Sequence, residues 1–151
     1  MMKILWRTKE FHELSLREFH DLLKLRIDVF VVEQTCPYAE LDGKDLEAVH
    51  LFGLDHEDRM VAVARILPPD EDGRPHLGRI AVDHEHRGRG LAKELMELSL
   101  STIAERYGSR RSALAAQSHL ETFYASFGFE RKGPDYPWDG IPHVDMVRSA
   151  E

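Results

Sequence analysis

The sequence predicts an α/β protein of the α+β type, in which a mixed sheet carries helices on both faces. Residues 50–54 and 60–67 are two apolar runs separated by a short charged turn, the pattern of an antiparallel hairpin. Residues 77–82 are a third apolar run, joined by a polar loop to a helical pattern from Leu91. Another strand, helix and strand follow over residues 113–148. This order favours helices packed on both sides of the sheet.

Length and composition predict a single domain over residues 1–151. No apolar run approaches the roughly 20 residues of a membrane span, and no signal peptide precedes the first strand. Cys36 is the only cysteine, which excludes an internal disulfide and favours a reducing cytoplasm. The formal net charge of −7 argues against nucleic-acid binding. We therefore expect a cytoplasmic protein without a membrane or nucleic-acid partner.

The N-terminal part of the chain predicts a strand and a helix. Residues 3–6 are the strand, and Ser15 with Glu18 forms a capping box that begins the helix. Apolar residues recur at helical spacing until near Val32. Arg26 lies on this apolar stripe, so we expect its charged end to reach solvent at the edge of the stripe.

Residues 33–48 predict a long loop with a short helical turn near residues 45–48, and a loop of this length is usually functional. Lys44 is surrounded by acidic residues, namely Glu33, Glu40, Asp42, Asp45 and Glu47. Two interpretations stay open. The carboxylates form either a solvated surface or a negative field that attracts a cationic amine.

The loop after the third apolar run contains two closely spaced glycines, in the sequence Arg-Gly-Arg-Gly-Leu-Ala at residues 87–92. Glycine lets the backbone turn with exposed N–H groups, and the following helix start adds unpaired donors and a positive dipole end. Arg87 and Arg89 add cationic donors that suit phosphate oxygens. We therefore predict a site for a pyrophosphate-bearing cofactor; the alternative is a surface turn with solvated arginines. Lys93 replaces the third glycine of a Rossmann fingerprint, and the Gly-Lys-Ser/Thr of a P-loop is absent.

The C-terminal third predicts a helix that ends at Gly108, a strand at residues 113–117, and a second helix that stops at Gly128. Ser118 with Glu121 predicts a capping box for this second helix.

The tail predicts two strands, at residues 129–132 and 143–148, around the turn-rich segment 133–142. An edge strand at the C-terminus could pair with a second subunit, which opens the way to a homodimer.

The motif Arg87-x-x-Gly90-x-Ala92 after a strand resembles the acyl-CoA loop of the GCN5-related N-acetyltransferase (GNAT) family. Ala92 stands where many relatives carry glycine, and alanine still permits a helix start. Three further stretches look like the ElaA-like subgroup of this family: residues 31–38, 119–129 and 140–143. The resemblance implies the acyl-CoA N-acyltransferase fold, with a mostly antiparallel sheet. It also implies that the strands at 77–83 and 112–117 splay into a cleft for the pantetheine arm.

The resemblance further implies the residues of the site. Those that would bind the cofactor are Ile80, Ala81, Val82, Arg87, Gly88, Arg89, Gly90, Leu91, Ala92 and His119. Residues 80–82 would hold the pantetheine and residues 87–92 the pyrophosphate. Tyr124 matches the thiol-facing tyrosine of the family, and its neutral phenol can donate a proton to the leaving sulfur. The alternative, which the helical spacing of the apolar residues favours without the resemblance, is that Tyr124 is a core aromatic.

The implied reaction is direct transfer of acetyl from acetyl-CoA to a primary amine of a small molecule or peptide, through a tetrahedral intermediate. The thioester oxygen needs a fixed N–H donor, for which we expect the backbone of Val82 or a neighbour. Glu33 is expected to bind or deprotonate the amine. The base stays open among Glu33, three histidines and water; the histidines are His50, His119 and His143.

Two other functions stay open. One is a non-catalytic acyl-CoA-binding sensor or interaction module, and the other is a phosphotransferase that binds ATP. No metal is expected, because His84 and His86 are the only close histidine pair and no cysteine lies near them. Cys36 has no partner close in sequence, which argues against a covalent acyl-cysteine.

Overall fold

A computed structural model describes residues 3–35 and 39–151 of the chain. The elements are β1 Leu5–Glu10, α1 Leu16–Ile27, β2 Val49–Leu54, β3 Met60–Leu67, β4 His76–Val82, α2 Leu91–Tyr107, β5 Ser112–Gln117, α3 Glu121–Ala125, β6 Glu130–Arg131, β7 Tyr136–Trp138 and β8 Ile141–Arg148. The strands form one eight-stranded sheet in the order β1-β2-β3-β4-β5-β8-β6, with β7 beside β8. Each described pairing is antiparallel except that of β4 with β5. The predicted mixed, mostly antiparallel sheet is confirmed.

Helices cover both faces of the sheet, as predicted. Side chains alternate along each strand, so Leu51 packs in the core beneath α2 whereas its neighbour Phe52 packs beneath α1. Leu95 of α2 and Leu22 of α1 are both buried in these two cores. No helix in the described ranges is long and apolar enough to cross a membrane.

The capping box at the start of α1 is confirmed. Ser15 Oγ accepts a hydrogen bond from the Glu18 N–H at 3.0 Å, and Glu18 Oε1 accepts one from the Ser15 N–H at 2.9 Å. A π-helical segment, Asp28–Glu33, continues the helix to near its predicted end. Cys36 and residues 37–38, which belong to the first ElaA-like stretch, lie outside the described residues.

The sheet opens between β4 and β5. Pairing between these strands is described only for His76 with Ala113, where the Ala113 N–H donates to the Pro75 carbonyl at 3.0 Å. A β-bulge around Ala64 interrupts the β3–β4 ladder, and Arg79 has a left-handed φ of 51° there. The predicted splay of the two central strands is therefore present.

The second predicted capping box is wrong. Residues Ser118–Leu120 form a 3₁₀ turn, closed by a hydrogen bond from the Glu121 N–H to the Ser118 carbonyl. Ser118 thus lies inside a turn and does not cap a helix. The chain then leaves α3 through a further turn that ends at Gly128, whose φ is 91°.

The segment predicted as turn-rich contains the short strand β7. β7 contains Pro137, and proline is tolerated on an outer strand because the open side of that strand needs no N–H donor. β7 pairs with the first part of β8 and β6 with the last part, while β5 pairs along the other side. β8 is therefore an inner strand, and the short strands β6 and β7 form the sheet edge in this part of the chain.

Two carboxylates of the acidic loop, Glu40 and Asp45, are turned inward, and Arg26 is their shared partner. Arg26 is only 1% exposed, so the prediction that its charge reaches solvent is wrong. Its guanidinium donates to both carboxylate oxygens of Asp45, at 2.9 and 3.0 Å, and to Glu40. Because Glu40 and Asp45 are buried and paired, they form neither a solvated loop nor a field open to substrate.

Two arginines from the sheet complete this charge cluster. Arg65 of β3 bonds Asp45 at 3.1 Å and both oxygens of Asp42, at 3.1 and 2.7 Å. Arg79 of β4 donates from Nε to both oxygens of Glu40 at 3.1 Å. The cluster therefore ties the loop and α1 to β3 and β4.

We predict that Asp45→Asn destabilises the protein by about 3–5 kcal/mol, because it leaves buried guanidinium charge without its partner. Asp28→Asn, which breaks an exposed pair with Lys24, should change the free energy of unfolding by less than about 1 kcal/mol. Urea denaturation at neutral pH measures both.

The same cluster predicts a pH dependence of stability. Burial raises the pKa of Asp45, but hydrogen bonds and charge from Arg26 and Arg65 outweigh it and lower that pKa overall. The resulting stability is fully present above the ordinary carboxyl pKa of about 4 and is lost as the pH falls further. Wild type should therefore lose more stability below about pH 4 than Asp45→Asn does. Equal losses would contradict this assignment.

Candidate active site

Two cavities lie on either side of the opening between β4 and β5. The loop cavity, of about 470 Å³, lies between the end of β4, the loop before α2, the π-helical segment and α3. The strand cavity, of about 260 Å³, lies against β4, β5, β7 and β8. Six residues line both cavities, namely Phe30, Gln34, Ile80, Gln117, Leu120 and Tyr124. The two cavities are therefore adjacent and share these six residues in their walls.

The glycine loop at the start of α2 has the geometry of an anion site. Gly88 and Gly90 have φ values of 77° and 78°, in the left-handed region that side chains disfavour. The first intrahelical bond described at this end runs from the Glu94 N–H to the Gly90 carbonyl, at 3.1 Å. The amides of the first turn of α2 therefore point out of the helix at its positive end. These donors fit a diphosphate.

The end of β4 offers backbone groups to the opening. Across the β3–β4 ladder, the Asp83 N–H donates to the Val61 carbonyl at 2.8 Å. Hydrogen-bonding groups alternate along an antiparallel strand, so the N–H and carbonyl of Val82 face away from β3 and toward β5. Arg87 Nε donates to this Val82 carbonyl at 3.0 Å. The Val82 N–H is therefore directed toward the opening.

The predicted site residues, with one exception, line the loop cavity. They are Glu33, Ile80, Ala81, Val82, Arg87, Gly88, Gly90, Leu91, Ala92, His119 and Tyr124. Arg89 is exposed and lies outside this lining. Gln34 and Gln117 also belong to the site, and their side chains bond each other at 3.2 Å, but no motif marked them in the sequence.

Glu33 and Arg87 hold each other across the mouth of the loop cavity. The two guanidinium nitrogens of Arg87 donate to the two carboxylate oxygens of Glu33 at 2.7 and 2.9 Å. The hydrogen bonds from Arg87 lower the pKa of Glu33, against a smaller opposing effect of burial. The residue predicted to bind phosphate thus pairs with the residue predicted to bind the amine.

Tyr124 is both a core aromatic and a wall of the two cavities. Its side chain packs edge-to-face on Phe123 and Phe129, and the residue is 7% exposed. Burial raises the pKa of Tyr124 to about 12. The phenol is therefore neutral at physiological pH and can donate a hydrogen bond into the opening.

The candidate histidines occupy different places. His119 lines the loop cavity and His143 the strand cavity. His50 is buried, its Nε2 lies 2.9 Å from the Asp45 carbonyl, and burial lowers its pKa, so it has a structural role. His86 bonds Asp83 at 2.7 Å. Within the described residues, no group of three or more histidine, cysteine or acidic side chains could hold a metal ion.

Comparison with known proteins adds three findings. Residues 20–150 match the family model of the acetyltransferase (GNAT) domain. The chain is 42% identical to Protein ElaA of Escherichia coli over 148 residues, which is 96% of each chain. It superposes with a TM-score of 0.93 on an acyl-CoA N-acyltransferase from Pseudomonas aeruginosa, at 37% identity, over 97% of this chain and 100% of that one. Escherichia coli ElaA gives a TM-score of 0.90 over the same shares, at 39% identity.

The geometry of the glycine loop predicts the effect of Gly90→Ala. The left-handed φ should cost alanine about 1–2 kcal/mol of stability and displace the amides at the helix start. We expect coenzyme A, the ligand that the family resemblance implies, to bind about tenfold more weakly. Gly73→Ala is the matched control, because Gly73 has a nearly identical φ of 79° in an exposed turn outside both cavities.

Thermal unfolding and isothermal titration with coenzyme A measure the two effects. Both variants should lose similar stability, and only Gly90→Ala should lose affinity. Equal affinity in the two variants would show that the loop does not bind the cofactor.

Proposed function

Because the chain belongs to the ElaA-like subgroup of the GNAT acetyltransferase family, we propose that it transfers acetyl from acetyl-CoA directly to a primary amine of a small molecule or peptide. Membership of the family supports acyl transfer from acyl-CoA. The observation that most favours the finer proposal is the continuous path from the glycine loop, along β4, to the opening beside Tyr124.

The cofactor would lie along this path with its pyrophosphate at residues 87–92. Backbone amides at the start of α2 and the Arg87 guanidinium would bind the phosphate oxygens. The pantetheine would follow residues 80–82, where β4 has no strand partner from β5, and His119 would lie across the cleft from it. The thioester would then arrive where the two cavities meet.

Arg87 would change partners when the cofactor binds. In the free protein Arg87 is bonded to Glu33, so a phosphate that attracts Arg87 releases the carboxylate. The released Glu33 would then attract a cationic amine toward the site by charge. Within the acidic field proposed from the sequence, the buried carboxylates of Glu40 and Asp45 would not attract the amine, because Arg26, Arg65 and Arg79 neutralise them.

The reaction needs few groups. The amine nitrogen attacks the thioester carbon, and negative charge develops on the carbonyl oxygen, which the Val82 N–H would stabilise. The carbon–sulfur bond then breaks, and the sulfur takes a proton from Tyr124, whose phenol is neutral. Preorganised donors in a site that excludes water stabilise such charge more strongly than water does.

We also propose that residues 1–151 act as one domain and that the protein works in the cytoplasm, where acetyl-CoA and a reduced Cys36 are expected. No metal takes part in this proposal.

Turnover separates this enzyme from a non-catalytic acyl-CoA-binding module. Wild-type protein should release free thiol from acetyl-CoA only when a suitable amine is present, and mass spectrometry of a polyamine, aminoglycoside and peptide panel should identify the acetylated acceptor. Tyr124→Phe should lower kcat by about 100-fold with little change in coenzyme A affinity. Tyr107→Phe, an exposed tyrosine on α2, should match wild type.

Coenzyme A binding without thiol release across the panel would favour the module. Protection from thermal unfolding by ATP but not by coenzyme A would instead favour the phosphotransferase. Full activity of Tyr124→Phe would remove Tyr124 from the mechanism.

A further inference from the structure

We infer that His143 is the general base that deprotonates the acceptor amine, an assignment that rests on the proposed function. His143 lies on β8, which pairs with β5 at Gln117 and with β7 at Tyr136. Its neighbour Val144 is buried in the core beneath α2, so the imidazole faces the opposite side of the sheet. The imidazole lines the strand cavity, and Tyr124, from the core beneath α2, lines it as well.

A backbone carbonyl sets the tautomer of this histidine. His143 Nδ1 lies 2.7 Å from the carbonyl oxygen of Ile141. A carbonyl can only accept, so Nδ1 must carry the hydrogen and Nε2 of the neutral ring keeps its lone pair. The ring is therefore held in the form that can accept a proton at Nε2.

Aromatic side chains from β7 hold the ring in place. Tyr136 stacks on the imidazole with centroids 6.2 Å apart and planes 28° apart, and Trp138 lies tilted against it at 5.2 Å. The Tyr136 hydroxyl donates to Asp145 at 2.5 Å, which fixes the stacking partner in turn. Aromatic faces also stabilise a neighbouring cation, and the imidazole becomes a cation once it takes the proton.

Other ionisable groups on the strand cavity are less suited to this step. The carboxylate of Asp42 is bonded to Arg65 and held as its ion-pair partner, and His76 is bonded to Asp70. Asp139 also lines the cavity, but a carboxylate is a much weaker base than an imidazole. Lys44 also lines the cavity, but an ammonium group has no lone pair with which to accept a proton.

Two candidates from the sequence lie on the cofactor side instead. His119 lines the loop cavity and does not line the strand cavity. Glu33 also lines the loop cavity, and its bonds to Arg87 lower its pKa, which weakens it as a base. His143 is thus placed on the side from which an acceptor would meet a thioester arriving along β4.

His143 Nε2 takes one proton from the alkylammonium, and the freed nitrogen lone pair attacks the thioester carbon. The new carbon–nitrogen bond forms, the carbon–sulfur bond breaks, and the sulfur takes the proton of the Tyr124 hydroxyl. The amide nitrogen returns its surplus proton to the Tyr124 oxygen, and His143 releases its own to water, so the products are amide, thiol and one proton.

The test uses two forms of one acceptor that wild type acetylates. The first is the ordinary amine, which is protonated at neutral pH because alkylammonium groups have a pKa near 10. The second carries fluorine atoms beside the nitrogen, which lower its basicity so that it is unprotonated in the assay. His143→Gln and His143→Asn should lose about 100-fold in kcat/KM with the first amine. With the second amine, both should come within about tenfold of wild type.

Tyr124→Phe is the matched control, because it acts on the sulfur and should stay slow with both amines. His143 variants that are equally slow with both amines, while binding coenzyme A normally, would show a structural role and overturn the assignment. Variants as fast as wild type with both amines would overturn it as well. If wild type acetylates no amine, the proposed function itself has failed.

A measurement on the unmodified protein covers the case in which the variants do not fold. Nitrogen-15 NMR of the histidine side chains at pH 8 should show His143 with hydrogen on Nδ1 and none on Nε2. Hydrogen on Nε2 instead would overturn the assignment.

Discussion

The interrupted pairing of β4 with β5 is the constraint on which the rest of the structure depends. The two strands meet at His76 and Ala113 and then separate, so the sheet gives up hydrogen bonds at its centre. Buried backbone groups without partners are costly, and such groups are expected to find another partner or water. Here the opening is flanked by two cavities, which makes the end of β4 available to a ligand that supplies those bonds.

The buried charge cluster holds this opening in shape. Arg79 adopts a left-handed conformation in the β4 bulge, which costs on the order of 1–3 kcal/mol, and its side chain bonds Glu40. Glu40 in turn bonds Arg26 of α1, and Asp45 joins Arg26 to Arg65 of β3. The acidic loop therefore anchors the helix and the bulged strand to each other. Because the carboxylates of Glu40 and Asp45 are already paired with arginines, they contribute to the site by fixing the positions of these elements.

Features that depend on neighbours in sequence were predictable, and those that depend on distant residues were not. The Ser15 capping box, the β2–β3 hairpin and the glycine loop before α2 are each encoded within a few residues. Arg26 was misplaced because its partners Glu40 and Asp45 lie 14 and 19 residues away. Ser118 matches the capping pattern in sequence, but it lies within a 3₁₀ turn in the structure.

The same distinction holds for the site. The glycine loop could be recognised from the sequence, whereas the Glu33–Arg87 pair spans 54 residues and no sequence motif predicts it. The orientation of the Val82 amide follows from the β3–β4 register, and the tautomer of His143 follows from one carbonyl contact. β7 lies in a segment whose glycines and prolines predict turns, and yet this strand supplies the aromatic contacts to His143.

A crystal structure of the protein with bound coenzyme A tests the central claim most directly. The account predicts the pyrophosphate on the amides of residues 88–92, Arg87 turned from Glu33 to the phosphate, and the pantetheine between β4 and β5 with its sulfur beside Tyr124. Coenzyme A bound elsewhere on the surface, with the opening closed or empty and the Glu33–Arg87 pair intact, would contradict it.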